Sequence, residues 1–261
     1  MLVLRPGALG DTLLAVPALR ALRGAFAPVT LAANGAAARL LEQTGEVDAG
    51  LAFDSRSFGW LFRLDGRPPE DVVAWMAADI APALRNVMLV APSRPPAMDR
   101  HCARYLLETL APLGISPTWD ESPLPVTPHV SDEILVHPGS GSPSKNWPPE
   151  RFARLIRALQ APVRLVVGEA DAQAAAAVEA RLRQRLPRLE QPSLDELAAS
   201  LAGCRAYVGN DSGVSQLAGL CGTRTVALFG PSDPVVWRPL GPDVRVAGFE
   251  ATPEEVARLT D

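Results

Sequence analysis

Three short segments carry residue types that could do chemistry. The first is Gly7-Ala8-Leu9-Gly10-Asp11, directly after an apolar run. Glycines let a backbone pass close to a ligand. An aspartate placed just beyond them could take a proton from a hydroxyl as a general base. Aspartate is also a common helix cap, and position alone admits both readings. The spacing is not G-x-G-x-x-G, which argues against a nicotinamide-dinucleotide site.

The second segment is His137-Pro138-Gly139-Ser140-Gly141-Ser142-Pro143-Ser144-Lys145. Backbone N–H groups, hydroxyls and one compact cation suit phosphate oxygens. The G-x-x-x-x-G-K-[ST] order of a P-loop is absent. A solvated surface lysine is the plain alternative. Composition weakens that alternative, because of the 25 basic residues Lys145 is the one lysine and all the others are arginine.

The third segment is Gly209-Asn210-Asp211-Ser212-Gly213, leading into Val214-Ser215-Gln216. It reads as a strand end followed by a helix start, where exposed N–H groups favour an anion. Asp211 would oppose an anion if it pointed at it. A helix cap or a contact with a sugar hydroxyl fits it better, and an ordinary capped turn is the alternative. Phe229-Gly230-Pro231-Ser232-Asp233-Pro234 says only that a rigid turn follows a strand.

Other features exclude functions. Net charge is −4, from 25 basic and 29 acidic residues spread evenly along the 261-residue chain, so a general nucleic-acid surface is not expected. Cys102, Cys204 and Cys221 form no CxxC pair, which predicts reduced thiols, two of them buried. No His/Cys/Asp cluster has metal-ligand spacing, so no metal and no cofactor is expected. The start MLVLRPGALGD lacks the pattern of a signal peptide, and no run reaches the length of a membrane span; the expectation is a cytoplasmic protein. Arg181, Arg183, Arg185 and Arg188 close a helical stretch and leave open a peripheral contact with an anionic membrane face.

The elements that must position these residues follow a β-loop-α rhythm. Residues 2–5 and 29–34 read as strands, with a helical pattern between them that Pro17 should interrupt or begin; Asp11 or Thr12 is the expected cap. The stretch 70–84 looks helical, 86–92 looks like a strand, and 100–113 reads as an amphipathic helix. A proline-rich, aperiodic stretch over 114–132 is the best linker. The rhythm then restarts, with strands at 133–138, 163–169, 206–210, 223–230 and 244–248 and helices between them. The expected architecture is therefore α/β, with domains at 1–127 and 128–261. Two facing halves of this kind would place a cleft at the carboxyl ends of their strands.

Taken together, LRPGALGDTLLAVPALRALR, ILVHPGSGSPSKNWPPERFARLI and VGNDSGVSQLAGLCGTRTVALFGPSDPVVWRPLG resemble glycosyltransferase family 9, the heptosyltransferase-like family of lipopolysaccharide core assembly. The resemblance implies a GT-B fold of two Rossmann-like domains, the first on the acceptor side, the second binding the nucleotide-sugar. It implies inverting, metal-independent transfer of a sugar, heptose from ADP-heptose, to a lipopolysaccharide-core or related glycan. Asp11 would be the base and Lys145 would hold the leaving diphosphate. Gly10, Ser140, Gly141, Ser144, Asp211, Ser212 and Gly213 would line the donor site, and Glu169 or Asp171 would lie near the nucleoside. The family's DSG helix continues to a histidine near the donor phosphate, and Gln216 stands there in this chain. The first half is also shorter than in typical members. These two departures motivate an alternative: a nucleotide-sugar-binding protein that has lost transfer.

Overall fold

The computed structural model describes residues 1–62, 71–76, 84, 87–116 and 118–261. The chain divides into two compact units, Met1–Glu121 and Ser122–Asp261. The division falls six residues before the boundary expected from the sequence. The reason is local: the Leu124 N–H donates to the Leu220 carbonyl (2.7 Å), which ties this proline-rich stretch to the second unit.

The first unit carries β1 (Leu2–Leu4), β2 (Thr30–Ala33), β3 (Ala49–Ala52), β4 (Val72–Trp75) and β5 (Leu89–Ala91). They form one parallel sheet in the order β3-β2-β1-β4-β5. Its helices are α1 (Leu9–Leu13), α2 (Val16–Phe26), α3 (Gly35–Gln43) and α4 (Cys102–Glu108). The helical pattern after β1 is split into α1 and α2, and Pro17 sits in the first turn of α2, where its missing N–H costs nothing. The expectation of a helix over 70–84 is corrected by β4. Val72, Val73, Ala74 and Trp75 are all buried between β1 and β5, and a short continuous apolar run does not distinguish a central strand from a helix. Residues 70 and 77–83 of that expectation lie outside the described residues, as does residue 86 at the start of the strand expected over 86–92. Leu4, Ala32, Val72, Ala74 and Met76 meet Phe58 and Leu61 in one apolar cluster.

The second unit carries β6 (Ile134–His137), β7 (Val163–Val167), β8 (Arg188–Glu190), β9 (Ala206–Asn210), β10 (Thr225–Phe229) and β11 (Val244–Gly248). These pair in parallel in the order β11-β10-β9-β6-β7-β8. Read from the first strand of the unit, this is the 3-2-1-4-5-6 order of dinucleotide-binding folds. The helices are α5 (Pro149–Ala158), α6 (Ala172–Leu182), α7 (Leu194–Gly203), α8 (Gly213–Leu220), α9 (Pro234–Trp237) and α10 (Pro253–Arg258). The capping box legible in Ser193 and Glu196 is formed: the Glu196 N–H donates to Ser193 Oγ (3.2 Å) and the Ser193 N–H to Glu196 Oε2 (2.8 Å). β8 has no local signature in the sequence. It is a three-residue edge strand with two charged residues, and the helix before it stops at Arg183 in a left-handed conformation (φ 58°).

In both units the strand order reverses beside the first strand, between β1 and β4 and between β6 and β9. In open α/β sheets ligands collect at the carboxyl ends of the strands at such switch points. The loops singled out by sequence leave the sheets there.

Candidate active site

In the first unit, β1 delivers Arg5 and then the loop Pro6–Ala8. Gly7 has φ +142°, and a Cβ there would come within 2.9 Å of the Asp11 side chain. The glycine is thus required both by backbone conformation and by the closeness of the carboxylate. Asp11 is not the residue before the helix: Ala8 holds that place, and Asp11 lies in the first turn of α1. Asp11 Oδ2 accepts the Ala8 N–H (3.0 Å), so the carboxylate does cap, reaching back from inside the helix. Oδ1 lies 3.7 Å from Arg5 Nη2, and the Asp11 side chain is 37% exposed while Arg5 is buried. Capping uses one oxygen, Oδ2, so the cap does not exclude the reading of Asp11 as a base.

In the second unit, three loops meet at the switch point. Lys145 Nζ donates to Asp211 Oδ2 (2.7 Å), and Ser232 Oγ donates to the same oxygen (2.6 Å). These residues follow β6, β9 and β10. Asp211 therefore does not cap α8. Ser212 does, accepting the Ser215 N–H on Oγ (3.3 Å). Lys145 remains about a third exposed, and Asp211 is nearly buried. An ammonium group has three donors, so Nζ keeps two for an incoming anion. Gly213 and Val214 form the first turn of α8, whose N–H groups have no partner within the helix.

A buried polar network anchors these loops. His137 Nε2 lies 2.9 Å from Asp171 Oδ2, which also accepts the Gly168 N–H (2.9 Å). Burial alone would raise the Asp171 carboxyl; the His137 ring and the Gly168 N–H outweigh it and hold the group below the usual carboxylate range. On its other side, His137 Nδ1 lies 3.5 Å from Tyr207 Oη and Ser212 Oγ. Tyr207 is fully buried, and burial raises its phenol well above the ordinary value. Asn210 closes the network. Its Nδ2 donates to the carbonyls of Pro138 (3.0 Å) and Gly139 (3.1 Å), and its Oδ1 accepts the Trp147 N–H (2.9 Å). The Gly/Ser loop is thus clamped at both ends. Gly139 cannot be larger, since a Cβ would fall 1.8 Å from Asp171 Oδ1.

Several sequence expectations are revised. Ser140 Oγ donates to the Ser142 carbonyl (2.6 Å) and accepts the Ser142 N–H (3.2 Å), so its hydroxyl shapes the loop. Ser144 is exposed, its Oγ 2.9 Å from Ser142 Oγ, and Gly141 is open. Asp171 is tied to His137 and serves the scaffold, whereas Glu169 is exposed. Glu169 borders a hollow of about 260 Å³ with Gly168, Gln191, Pro192 and Val214 at the ends of β7 and β8. Gln216 is buried, and its Nε2 donates to the Trp237 carbonyl (2.8 Å), which ties it to α9, while its Oε1 has no partner among the described residues. The sequence marks Ser232 only as part of a turn and assigns no role to Arg5, His137, Tyr207 and Asn210. Ser232, His137, Tyr207 and Asn210 act through partners distant in the chain, and Arg5 through its buried approach to Asp11, none of which spacing reveals. All three cysteines are free, with Cys102 and Cys221 buried as expected and Cys204 half-buried. Among the described residues no group of three His, Cys, Asp or Glu could hold a metal ion. No helix among them is long and apolar enough to cross a membrane.

Two Rossmann-like units, each with its loops at a switch point and an anion-suited pocket in the second, constitute the GT-B architecture of glycosyltransferases. The chain belongs to glycosyltransferase family 9 (heptosyltransferase), whose family model matches residues 115–258, more than half of it. By sequence, no curated protein matches. Solved structures with this fold include a family 9 glycosyltransferase from Veillonella parvula DSM 2008, 21% identical with a TM-score of 0.77, over 95% of this chain and 85% of that one. The E. coli ADP-heptose lps heptosyltransferase II is 20% identical with a TM-score of 0.76, over 99% and 96%. The E. coli heptosyltransferase WaaC with ADP is 17% identical with a TM-score of 0.74, over 98% and 94%. At these identities the structures speak for the fold, and the family assignment makes the chain a glycosyltransferase. Neither comparison favours the non-catalytic alternative.

Proposed function

We propose that this glycosyltransferase moves a heptose from ADP-heptose to a hydroxyl of a lipopolysaccharide-core or related glycan, with inversion at the anomeric carbon. The observation that carries the reading is the position of Lys145: the chain's one lysine stands at the switch point of the second unit, preset by Asp211 and close in sequence order to no other cation of the loop. The names of the two E. coli relatives, one solved with ADP and the other an ADP-heptose enzyme, support this donor.

The steps follow from the groups present. The diphosphate binds to Nζ of Lys145 and to the N–H groups at the start of α8, with Gly141, Ser144, Ser212 and Gly213 bordering it. As the glycosidic C–O bond breaks, negative charge grows on the leaving ADP, and a fixed cation with a helix start stabilises it. No metal is required in this scheme. The nucleoside occupies the hollow at Glu169, Gln191 and Val214, with Glu169 accepting hydroxyl hydrogen bonds from the ribose. Asp11 Oδ1 takes the proton of the acceptor hydroxyl, whose oxygen attacks the anomeric carbon from the face opposite ADP. Gly10, beside Asp11, lets the acceptor approach the backbone. The protein acts in the cytoplasm, where nucleotide-sugars are made, with peripheral contact to the inner membrane through its acceptor.

The test is incubation with ADP-heptose and a deacylated core acceptor, read by mass spectrometry of the acceptor and by ADP release. Acceptor heavier by one heptose, absent with Asp11→Ala, is the expected result. Failure with ADP-heptose but transfer from another nucleoside-diphosphate sugar would reject the donor and keep the chemistry.

A further inference from the structure

Arg5 has no role in the scheme above, and its surroundings are unusual for an arginine. Its side chain is 1% exposed at the end of β1. Among the described residues, Nε and Nη2 have no hydrogen-bond partner, and Nη1 makes one long contact to the Pro6 carbonyl (3.3 Å). A guanidinium has five donors, so most of this one's capacity is unmet. Burial dominates its surroundings and lowers its proton affinity; Asp11 and Cys102 oppose that more weakly. Cys102, on α4, supplies no counter-charge, because burial pushes its thiol up to about 11 and keeps it neutral. Arg94, beyond β5, is a second cation acting on Cys102. The carboxylate within ion-pair distance of Arg5 is Asp11 (3.7 Å).

We propose that Arg5 is a positioning residue for Asp11: a buried, fixed guanidinium that holds the carboxylate in one orientation, with Oδ2 on the Ala8 N–H and Oδ1 presented to the acceptor. This rests on the reading of Asp11 as the base. Arg5 is too buried to touch substrate. A buried charge with unmet donors is a cost to folding, and apolar replacement of such groups is often neutral or stabilising. The site keeps that cost, which a structural role would not explain. Misplacing a reacting group by about 1 Å can lower turnover on the order of a hundredfold.

The experiment compares wild type, Arg5→Met, Arg5→Lys and Asp11→Asn in kcat, KM for each substrate, and thermal midpoint. Arg5→Met should lower kcat on the order of tenfold to a hundredfold. Both KM values should stay within about twofold and the midpoint should not fall. Arg5→Lys, which keeps the charge, should recover most of kcat. An Arg5→Met variant with wild-type kcat, a variant that loses its fold, or a raised acceptor KM at unchanged kcat would each overturn the proposal. If Asp11→Asn stays active, the base reading itself fails, and the role of Arg5 fails with it. If Asp11→Asn is inactive while Arg5→Met turns over normally, the base reading stands and Arg5 alone is reassigned.

Discussion

Lys145 Nζ sits 2.7 Å from Asp211 Oδ2, joining the loop after β6 to the loop after β9 across the switch point of the second sheet. The pair explains how a carboxylate can stand at an anion site. Asp211, also held by Ser232, faces the lysine and orients it. The cation stays partly exposed, as the proposed diphosphate contact requires.

Lys145→Ala should therefore weaken ADP binding by roughly tenfold to a hundredfold, about 1.4–2.8 kcal/mol, with the fold intact. Lys145→Arg should also bind less well, because a planar fork replaces a compact point charge whose place is set by Asp211. Calorimetric titration of ADP checks both, and wild-type affinity in Lys145→Ala would remove the lysine from the donor site.

Asp11→Asn should leave ADP affinity unchanged and lower kcat by roughly a hundredfold or more. The amide oxygen can still accept the Ala8 N–H, but the buried Arg5 guanidinium loses its carboxylate neighbour, so the thermal midpoint should fall while the protein stays folded. Steady-state kinetics together with the same titration separate chemistry from binding.

Gly7→Ala places a methyl 2.9 Å from the Asp11 side chain and imposes φ +142° on an L-residue. The expected cost is about 1–3 kcal/mol of stability. Turnover should also fall, because Asp11 must move. Denaturant unfolding and kcat measured on one preparation test the coupling.

Much of the site was legible in the sequence, for a physical reason. Loops at sheet ends need glycine, serine and capping residues, and these leave local signatures. The β-loop-α rhythm, the split at Pro17 and the Ser193–Glu196 capping box were read from neighbouring residues. What was not legible depends on the third dimension. Val72–Trp75 looks helical until β1 and β5 flank it, and β8 is too short and polar to announce itself. The Asp171–His137–Tyr207 network joins three separate segments of the chain. Gln216 had the right position for a ligand contact, but its amide turns inward to Trp237.

That network yields a pH prediction. The Asp171 carboxyl is lowered in the folded state from its ordinary value of 3.8. A lowered folded value contributes stability that is complete above the ordinary value and is lost as pH falls through the folded one. Asp171→Asn should thus be less stable than wild type at neutral pH, by about 1–3 kcal/mol for a buried partner left unmatched. The gap should narrow below pH 3.8. Thermal midpoints of both proteins across that range check the sign.

The proposed transfer is a single displacement, with Asp11 activating the acceptor and the ADP leaving against Lys145. The anomeric configuration of the transferred sugar tests it most directly. Nuclear magnetic resonance of the isolated product should show the configuration opposite to that of the ADP-heptose supplied. A product with the donor's configuration would contradict the account, because a single displacement from the face opposite ADP inverts the anomeric carbon and retention needs a second displacement or attack from the leaving-group face.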